Sequence, residues 1–501
     1  MVLLAAIDQG TSSSRFLVFD SETGTLVADH QIEVQQIFPQ AGWVEMNPIE
    51  IYDTVIKCIE EVCHKLINLN IDANQIKAIG LANQRETTVV WDKETGLPLA
   101  NAIVWLDSRT SALAEEFIQK TPTKDKEYFK EKCGLPIHNY FSALKLRWLI
   151  DNVEAVREAK SKETLLAGTV DSWILWKLLG KHITDVTNAS RTMLLDLGKR
   201  KWSNELTTFF DIDINILPEI RSSAEIYGVV NVGSLRNVPL SGCLGDQQAA
   251  LVGHNCLQPG DTKSTFGTGT FLLSNIGKNP VVSKCGLLTT VAFQFGENEP
   301  MVYALEGSGS IGGNVIRFLR DNLGFIKSNA DSELLANSVQ STEGVYFVPC
   351  FSGLYTPHWD STARGTICGL TQVSNKAHIT KAALQAVAFQ TAEMIEAIEN
   401  DPKTPKILKL RIDGGMTFNK SFVQMQANVI GRQVDCPDMG EISGWGAAVA
   451  GGIGAGLVKL ETYKHFVHPK VRSYIPTNDE AQRSYQLKKW KDAVSRARGW
   501  V

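Results

Sequence analysis

Four short stretches set carboxylates, hydroxyls and glycines at spacings that suit phosphate chemistry. Asp8-Gln9-Gly10-Thr11-Ser12-Ser13-Ser14-Arg15 and Gly267-Thr268-Gly269 are tight turns of small residues. Backbone N–H groups in such turns approach phosphate oxygens closely, because little side chain stands in the way. Asp8, at a strand end beside the first turn, suits a hard divalent cation such as Mg²⁺, held through waters. Gly245-Asp246-Gln247-Gln248 offers a carboxylate and amides at a helix start, and Asp413-Gly414-Gly415 closes a strand with a glycine turn. Taken singly, each is an ordinary hairpin or helix cap. No GxxxxGK[ST] phosphate loop occurs, but Gly307-Ser308-Gly309-Ser310-Ile311-Gly312 reads GxGxxG between an apolar run and a helical one. That makes an NAD-dependent polyol dehydrogenase the competing reading. The acidic residue such a site needs after a second strand is unconvincing, since Asp331 falls in a polar, helix-like stretch. A glycine-rich helix entry accounts for the run better.

The turns need elements to hold them. Residues 3–7 and 15–19 are apolar runs flanking the first turn, a β-hairpin pattern, and residues 263–266 and 270–274 repeat that design around the second. The repeat falls where two halves of about 250 residues would put it, so a duplicated domain with a boundary near 253–259 is expected. The halves are then residues 1–253 and 254–501. Residues 47–66 have helical periodicity opened by Asn47-Pro48, a cap followed by proline in the first turn. Residues 76–81, 87–91 and 407–412 read as strands, and the class is α/β.

The bulk numbers narrow the function classes. A chain of 501 residues exceeds one hydrophobic core. A net charge of −4 gives no reason to expect nucleic acid or an anionic membrane as partner. Nine cysteines without a CxxC pair fit a reduced cytoplasmic setting better than a disulfide framework. The opening MVLLAAIDQG reads as a buried first strand rather than a signal peptide, and no run approaches about 18 apolar residues, so no membrane span is expected.

Together the motifs say more than their parts. Two hairpins half a chain apart clasp phosphates from opposite sides, and the Asp413 turn meets the nucleoside. The chain resembles the FGGY family of sugar and polyol kinases, built as two actin-like (ribonuclease H-like) ATPase domains with a central cleft. The resemblance runs through the Asp8–Arg15 stretch, Gly42-Trp43-Val44-Glu45, Asn83-Gln84-Arg85-Glu86-Thr87-Thr88, Ala102-Ile103-Val104-Trp105 and Tyr140-Phe141-Ser142. It continues in Asn188-Ala189-Ser190-Arg191-Thr192-Met193, Gly245-Asp246-Gln247-Gln248-Ala249-Ala250, Gly267-Thr268-Gly269, Ala304-Leu305-Glu306-Gly307 and Asp413-Gly414-Gly415. Within the family it is similar to the members that phosphorylate glycerol, with eukaryotic-type features.

The resemblance implies ATP and Mg²⁺ as cofactors, glycerol as acceptor and a homo-oligomer, most simply a dimer. It implies that Arg85, Glu86, Trp105, Tyr140, Asp246, Gln247 and Phe271 bind the polyol, with Asp246 as general base. A buried triol needs each hydroxyl paired and its carbon edge walled by apolar rings. Arg15 would neutralise the transferred phosphoryl, Thr11, Ser12, Ser13 and Thr268 would touch phosphates, and Asp8 with Asp246 would hold the metal. Gly313, Arg317, Gly415 and Asn419 match positions around adenosine. Three departures stand out. Arg317 replaces a frequent Gln. Ser443-Gly444-Trp445-Gly446-Ala447-Ala448 departs from the usual Thr-Ala-Leu-Gly-Ala-Ala, with altered packing near the nucleotide domain expected. The loop Gly233-Ser234-Leu235-Arg236 is shorter and less glycine-rich than the segment that binds a sugar bisphosphate in some members. Two further readings compete: a non-catalytic nucleotide-binding scaffold, which would not need Asp8, Arg15 and Asp246 together, and a pentulose kinase, which Trp105 and Phe271 disfavour by filling space.

Overall fold

In the computed structural model, which describes residues 2–309, 311–468 and 470–501, both expected hairpins form, and each lies inside a sheet with neither strand at an edge. The strands of the first sheet are β1 (Leu3–Gln9), β2 (Ser13–Asp20), β3 (Leu26–Glu33), β4 (Ile76–Asn83), β5 (Ala224–Val230) and β6 (Val238–Gly245). The second sheet holds β7 (Thr262–Phe266), β8 (Thr270–Gly277), β9 (Leu288–Phe293), β10 (Val302–Gly309), β11 (Lys409–Asp413), β12 (Gln433–Pro437) and β13 (Val471–Tyr474). Their spatial orders are β5-β6-β4-β1-β2-β3 and β9-β10-β8-β7-β11-β12-β13.

The two sheets repeat one plan. β1 pairs antiparallel with β2 and parallel with β4, which runs parallel to β6. β7 likewise pairs antiparallel with β8 and parallel with β11, which runs parallel to β12. Parallel neighbours need crossover connections, and these bring helices onto the sheet faces. One is α1 (Pro48–Asn68), whose Asn47 side chain accepts the Ile49 N–H and whose apolar stripe Ile51, Val55, Ile59, Val62 and Leu66 is buried.

Two helices tie the halves together. α2 (Asp246–Gly253) leaves β6 directly, and α6 (Ile442–Gly454) packs on β1, β4 and β6 although it lies late in the chain. Between them in sequence are α3 (Asn314–Asp321), α4 (Lys376–Asn400) and α5 (Lys420–Ile430). Backbone meets backbone along α6: a Cβ on Gly446 would stand 1.8 Å from the Ala249 carbonyl oxygen, and one on Gly80 1.8 Å from that of Ala447. The Gly444-Trp445-Gly446 departure packs against the first half: Gly444 meets Leu17, Trp445 lies edge-on to Phe19 and Gly446 meets α2. Small residues there serve close helix–sheet packing.

The GxGxxG run is also resolved by packing. Gly307 and Gly309 lie inside β10, where a Cβ would meet Met394 of α4 at 2.7 and 3.0 Å, respectively. The first two glycines thus lie in a strand against a helix, not a dinucleotide turn, and Gly312 packs on the second hairpin turn, its N–H donating to the Thr268 carbonyl. All nine cysteines are unpaired, and among the described residues no helix is long and apolar enough to cross a membrane.

Candidate active site

The first turn is closed by the Gly10 N–H donating to the Ser13 carbonyl, which leaves Thr11 half-buried and Ser12 exposed at the tip. Register places Asp8 opposite Arg15 across the hairpin, and the two side chains approach to 3.9 Å. Arg15 also reaches into the other half, donating to Glu441 at 2.6 Å. Burial pushes the Asp8 carboxyl up to about 7 against the pull of Arg15, with Glu441 and Asp246 adding to the rise. Thr11 joins two predicted sets, because its hydroxyl accepts from the Trp105 indole N–H at 2.9 Å.

Beyond this hairpin lies a cluster of rings and paired charges. The Trp105 ring stands edge-on to Tyr140 at 5.8 Å and to Phe271 at 5.7 Å, and the Arg85 guanidinium lies 5.9 Å from the Phe271 ring. Arg85 and Glu86 occupy the turn after β4, where the Thr87 N–H donates to the Arg85 carbonyl and Glu86 adopts φ 59°, a strained conformation for a residue with a side chain. Gly245 permits the approach of this turn to α2, since a Cβ there would sit 2.6 Å from Arg85. Asp246, the first residue of α2, lies 3.3 Å from Arg85 Nε. Burial raises its carboxyl above the usual range, opposed by Arg85 and Lys263. That direction suits a proton acceptor.

A fixed frame holds these groups. Glu306 of β10 accepts from Arg85 through both oxygens at 2.6 and 2.9 Å, and Arg191 donates to Glu86 at 2.6 Å while standing 3.3 Å from Glu306. Burial lifts the Glu306 carboxyl, but Arg191 and Arg85 outweigh it and hold it down at about 2. On the other side of α2, Lys263 donates to Gln247 at 2.5 Å. His254, after the end of α2, donates to Asp413 at 2.7 Å. A carboxylate only accepts, so the His254 proton is on Nε2.

The second hairpin opens onto a cavity of about 580 Å³ between β7, α3 and the turn after β11. Thr268, Gly313, Arg317, Gly415 and Asn419, expected around the nucleotide, all line it. The Gly313 N–H donates to the Gly267 carbonyl, which locks the α3 entry onto the hairpin turn. Asn419 caps α5 through its side-chain oxygen, leaving its buried amide nitrogen without a protein partner. Arg317 is exposed and 3.4 Å from Asp321. Thr11, Ser12, Ser13 and Arg15 do not line this cavity and belong to the first hairpin.

Several participants had no role in the sequence reading. Glu306 and Arg191 stood within quoted motifs, but their partners are 221 and 105 residues away. Lys263, His254 and Glu441 gave no local signal. Phe418, 79% exposed and lining the nucleotide cavity, looked like any hydrophobic residue in a helix entry.

Two sheets that repeat one hairpin plan, with a cavity of about 580 Å³ beside the second hairpin, are the architecture of a phosphotransferase of the actin-like ATPase class. The chain belongs to the FGGY family of carbohydrate kinases: the family's N-terminal domain matches residues 3–253 and its C-terminal domain residues 262–455. It is 62% identical over the full length of both chains to a probable glycerol kinase of Caenorhabditis elegans, and 46% identical to a glycerol kinase of Brucella anthropi over 99% of each. The crystal structure of Plasmodium falciparum glycerol kinase with ADP superposes with a TM-score of 0.89 at 35% identity, over 99% of this chain and 98% of that one. A xylulose kinase from Lactobacillus acidophilus shares the fold at TM-score 0.85 and 20% identity, over 98% of this chain and 97% of that one. Fold alone therefore does not choose the acceptor.

Proposed function

We propose that this chain transfers the γ-phosphoryl group of ATP to a terminal hydroxyl of glycerol, giving sn-glycerol 3-phosphate and ADP. The observation that carries this reading is the side-chain cluster in which Tyr140 and Phe271 each stand edge-on to Trp105, with Arg85 beside both Phe271 and Asp246. A triol offers hydroxyls for those polar groups and a carbon edge for Trp105 and Phe271. The names of the glycerol kinases it resembles support the same acceptor.

In the reaction, the acceptor oxygen forms a bond to phosphorus, the bond to the β–γ bridging oxygen breaks, and the hydroxyl proton passes to Asp246. Positioning and charge stabilisation carry most of phosphoryl transfer. Arg85 orients Asp246, and Arg15 offsets charge on the group in flight. Thr11, Ser12, Ser13 and Thr268 contact phosphates, while Gly313, Arg317, Gly415 and Asn419 surround adenosine, the orphan amide of Asn419 offering a donor. Asp8 and Asp246 would hold Mg²⁺. The donor set fits a hard cation, since it is made of carboxylate oxygens whose mutual repulsion a dication would relieve. When bound, the ion neutralises charge on the phosphates. We further propose that residues 1–253 and 254–501 act as the two domains of a cytoplasmic homodimer, which light scattering of the purified chain checks.

Release of ADP with glycerol, dihydroxyacetone, erythritol, xylulose or ribulose as sole acceptor tests the proposal. Highest kcat/KM for glycerol is expected. Preference for a pentulose would replace glycerol as the substrate, and nucleotide binding without turnover on any acceptor would favour a scaffold.

A further inference from the structure

Lys263 is fully buried in β7, next to Gln247 of the expected acceptor-binding set. Its Nζ donates to Gln247 Oε1 at 2.5 Å and to Thr265 Oγ1 at 2.9 Å, and among the described residues no carboxylate lies within 4.0 Å of it. A buried charge is costly unless it is well partnered. Packing alone would be served by an apolar side chain, and charge balance by a direct ion pair. Here the ammonium instead spends its short contact on a neutral amide beside Asp246.

The consequence lies in donor and acceptor roles. An ammonium only donates, so the end of the Gln247 amide that meets Lys263 is its oxygen. Reversed, the amide would set its NH₂ against three more donors. The two N–H donors of Gln247 are thus turned away from Lys263. Gln247 is nearly buried and is the second residue of α2, next to Asp246. We infer that Lys263 is a positioning residue for the acceptor, fixing the Gln247 amide so that it donates to an alcohol oxygen. An alcohol held this way directs its own O–H elsewhere, towards the carboxylates of Glu86 and Asp246. The inference rests on the glycerol reading above and extends it to which hydrogen-bonding pattern the pocket accepts.

The test is a double-mutant cycle in the full chain, with steady-state kinetics for both substrates and calorimetric glycerol binding. Lys263→Met and Gln247→Leu should each raise the glycerol KM at least about tenfold, the size of one hydrogen bond to a charged or well-oriented group. The ATP KM should stay within about twofold, and the double variant should be no worse than Gln247→Leu. Lys263→Arg, which keeps donors in reach, should restore part of the glycerol affinity. Multiplicative losses in the double variant, or an equal rise in both KM values, would overturn the inference. Gln247→Glu covers the case in which Lys263→Met does not fold: it gives Lys263 an ion pair but removes the N–H donors. Its glycerol KM should rise by the same factor, and a value within about twofold of the parent's overturns the inference too. A parent protein that turns over another acceptor but not glycerol would instead sink the substrate reading.

Discussion

Asp8 is a buried carboxyl that opposes stability once it is ionised. Its carboxyl, with an ordinary value of 3.8, is pushed up to about 7 by burial beside Glu441 and Asp246. Between these two values the folded protein holds a proton that the unfolded chain has released, so stability falls as pH rises through this window and stays lower above it. Asp8→Asn should therefore be more stable than the parent at pH 8, by on the order of 1–3 kcal/mol, and nearly equal to it at pH 4. Thermal unfolding at both pH values checks this, and an equal gain at both would remove the charge explanation. Phe271 tests the pocket wall. Phe271→Ala should cost glycerol about 1–3 kcal/mol in kcat/KM while four-carbon polyols lose less. An erythritol-to-glycerol ratio that does not move, in a folded variant, would make Phe271 plain packing. At this scale the sequence was uneven. Asp8 and Asp246 stand in turns whose residue types drew notice in the sequence alone, whereas Arg85 was picked out only through the family resemblance. Glu306 was not, because its importance comes from Arg85 and Arg191, brought to it only by the fold. Lys263 reads as a charge in a strand until its burial is known.

At the scale of elements, local signals were read well and distant ones were not. Asn47-Pro48 announced α1, and the glycine turns announced both hairpins, because capping and turn chemistry are confined to a few residues. The placement of α6 could not be read, since its glycines answer to distant parts of the first half: Gly444 to Leu17, Gly446 to Ala249 and Gly451 to Ile79. The same holds for the GxGxxG run, in which Gly307 and Gly309 answer to Met394 of α4 and Gly312 to the Gly267–Gly269 turn. α6 makes a direct prediction. A methyl on Gly446 would overlap the Ala249 carbonyl of α2, a backbone atom that no rotamer change can move. Gly446→Ala should lower stability by at least about 2–3 kcal/mol, as overpacking does, and should disturb Asp246 at the other end of α2. Denaturant unfolding measures the first effect, and kcat at a temperature where the variant is folded measures the second. Parental stability would mean that α6 shifts freely on the first sheet.

At the scale of the whole molecule, the residues proposed for the chemistry come from both sheets. The first hairpin, the Arg85 turn and Asp246 come from one side, and the second hairpin, Phe271 and the nucleotide cavity from the other. Arg15 to Glu441 and Arg85 to Glu306 bridge them. This arrangement was legible in outline, because the repeated hairpin implied two similar halves. Their mutual placement was not, because it depends on α2 and α6 meeting backbone to backbone. Family membership and fold account for a kinase, but the central claim is narrower: the acceptor alcohol loses its proton to Asp246 in this cleft. Asp246→Asn keeps the size and hydrogen-bonding capacity of the side chain and removes its basicity. Rapid-quench measurement of phosphoryl transfer, with Mg-ATP and glycerol both saturating, tests the claim most directly. The account predicts that the chemical step slows about 10²–10⁴-fold while glycerol still binds. A variant that transfers phosphate at close to the parental rate would contradict it.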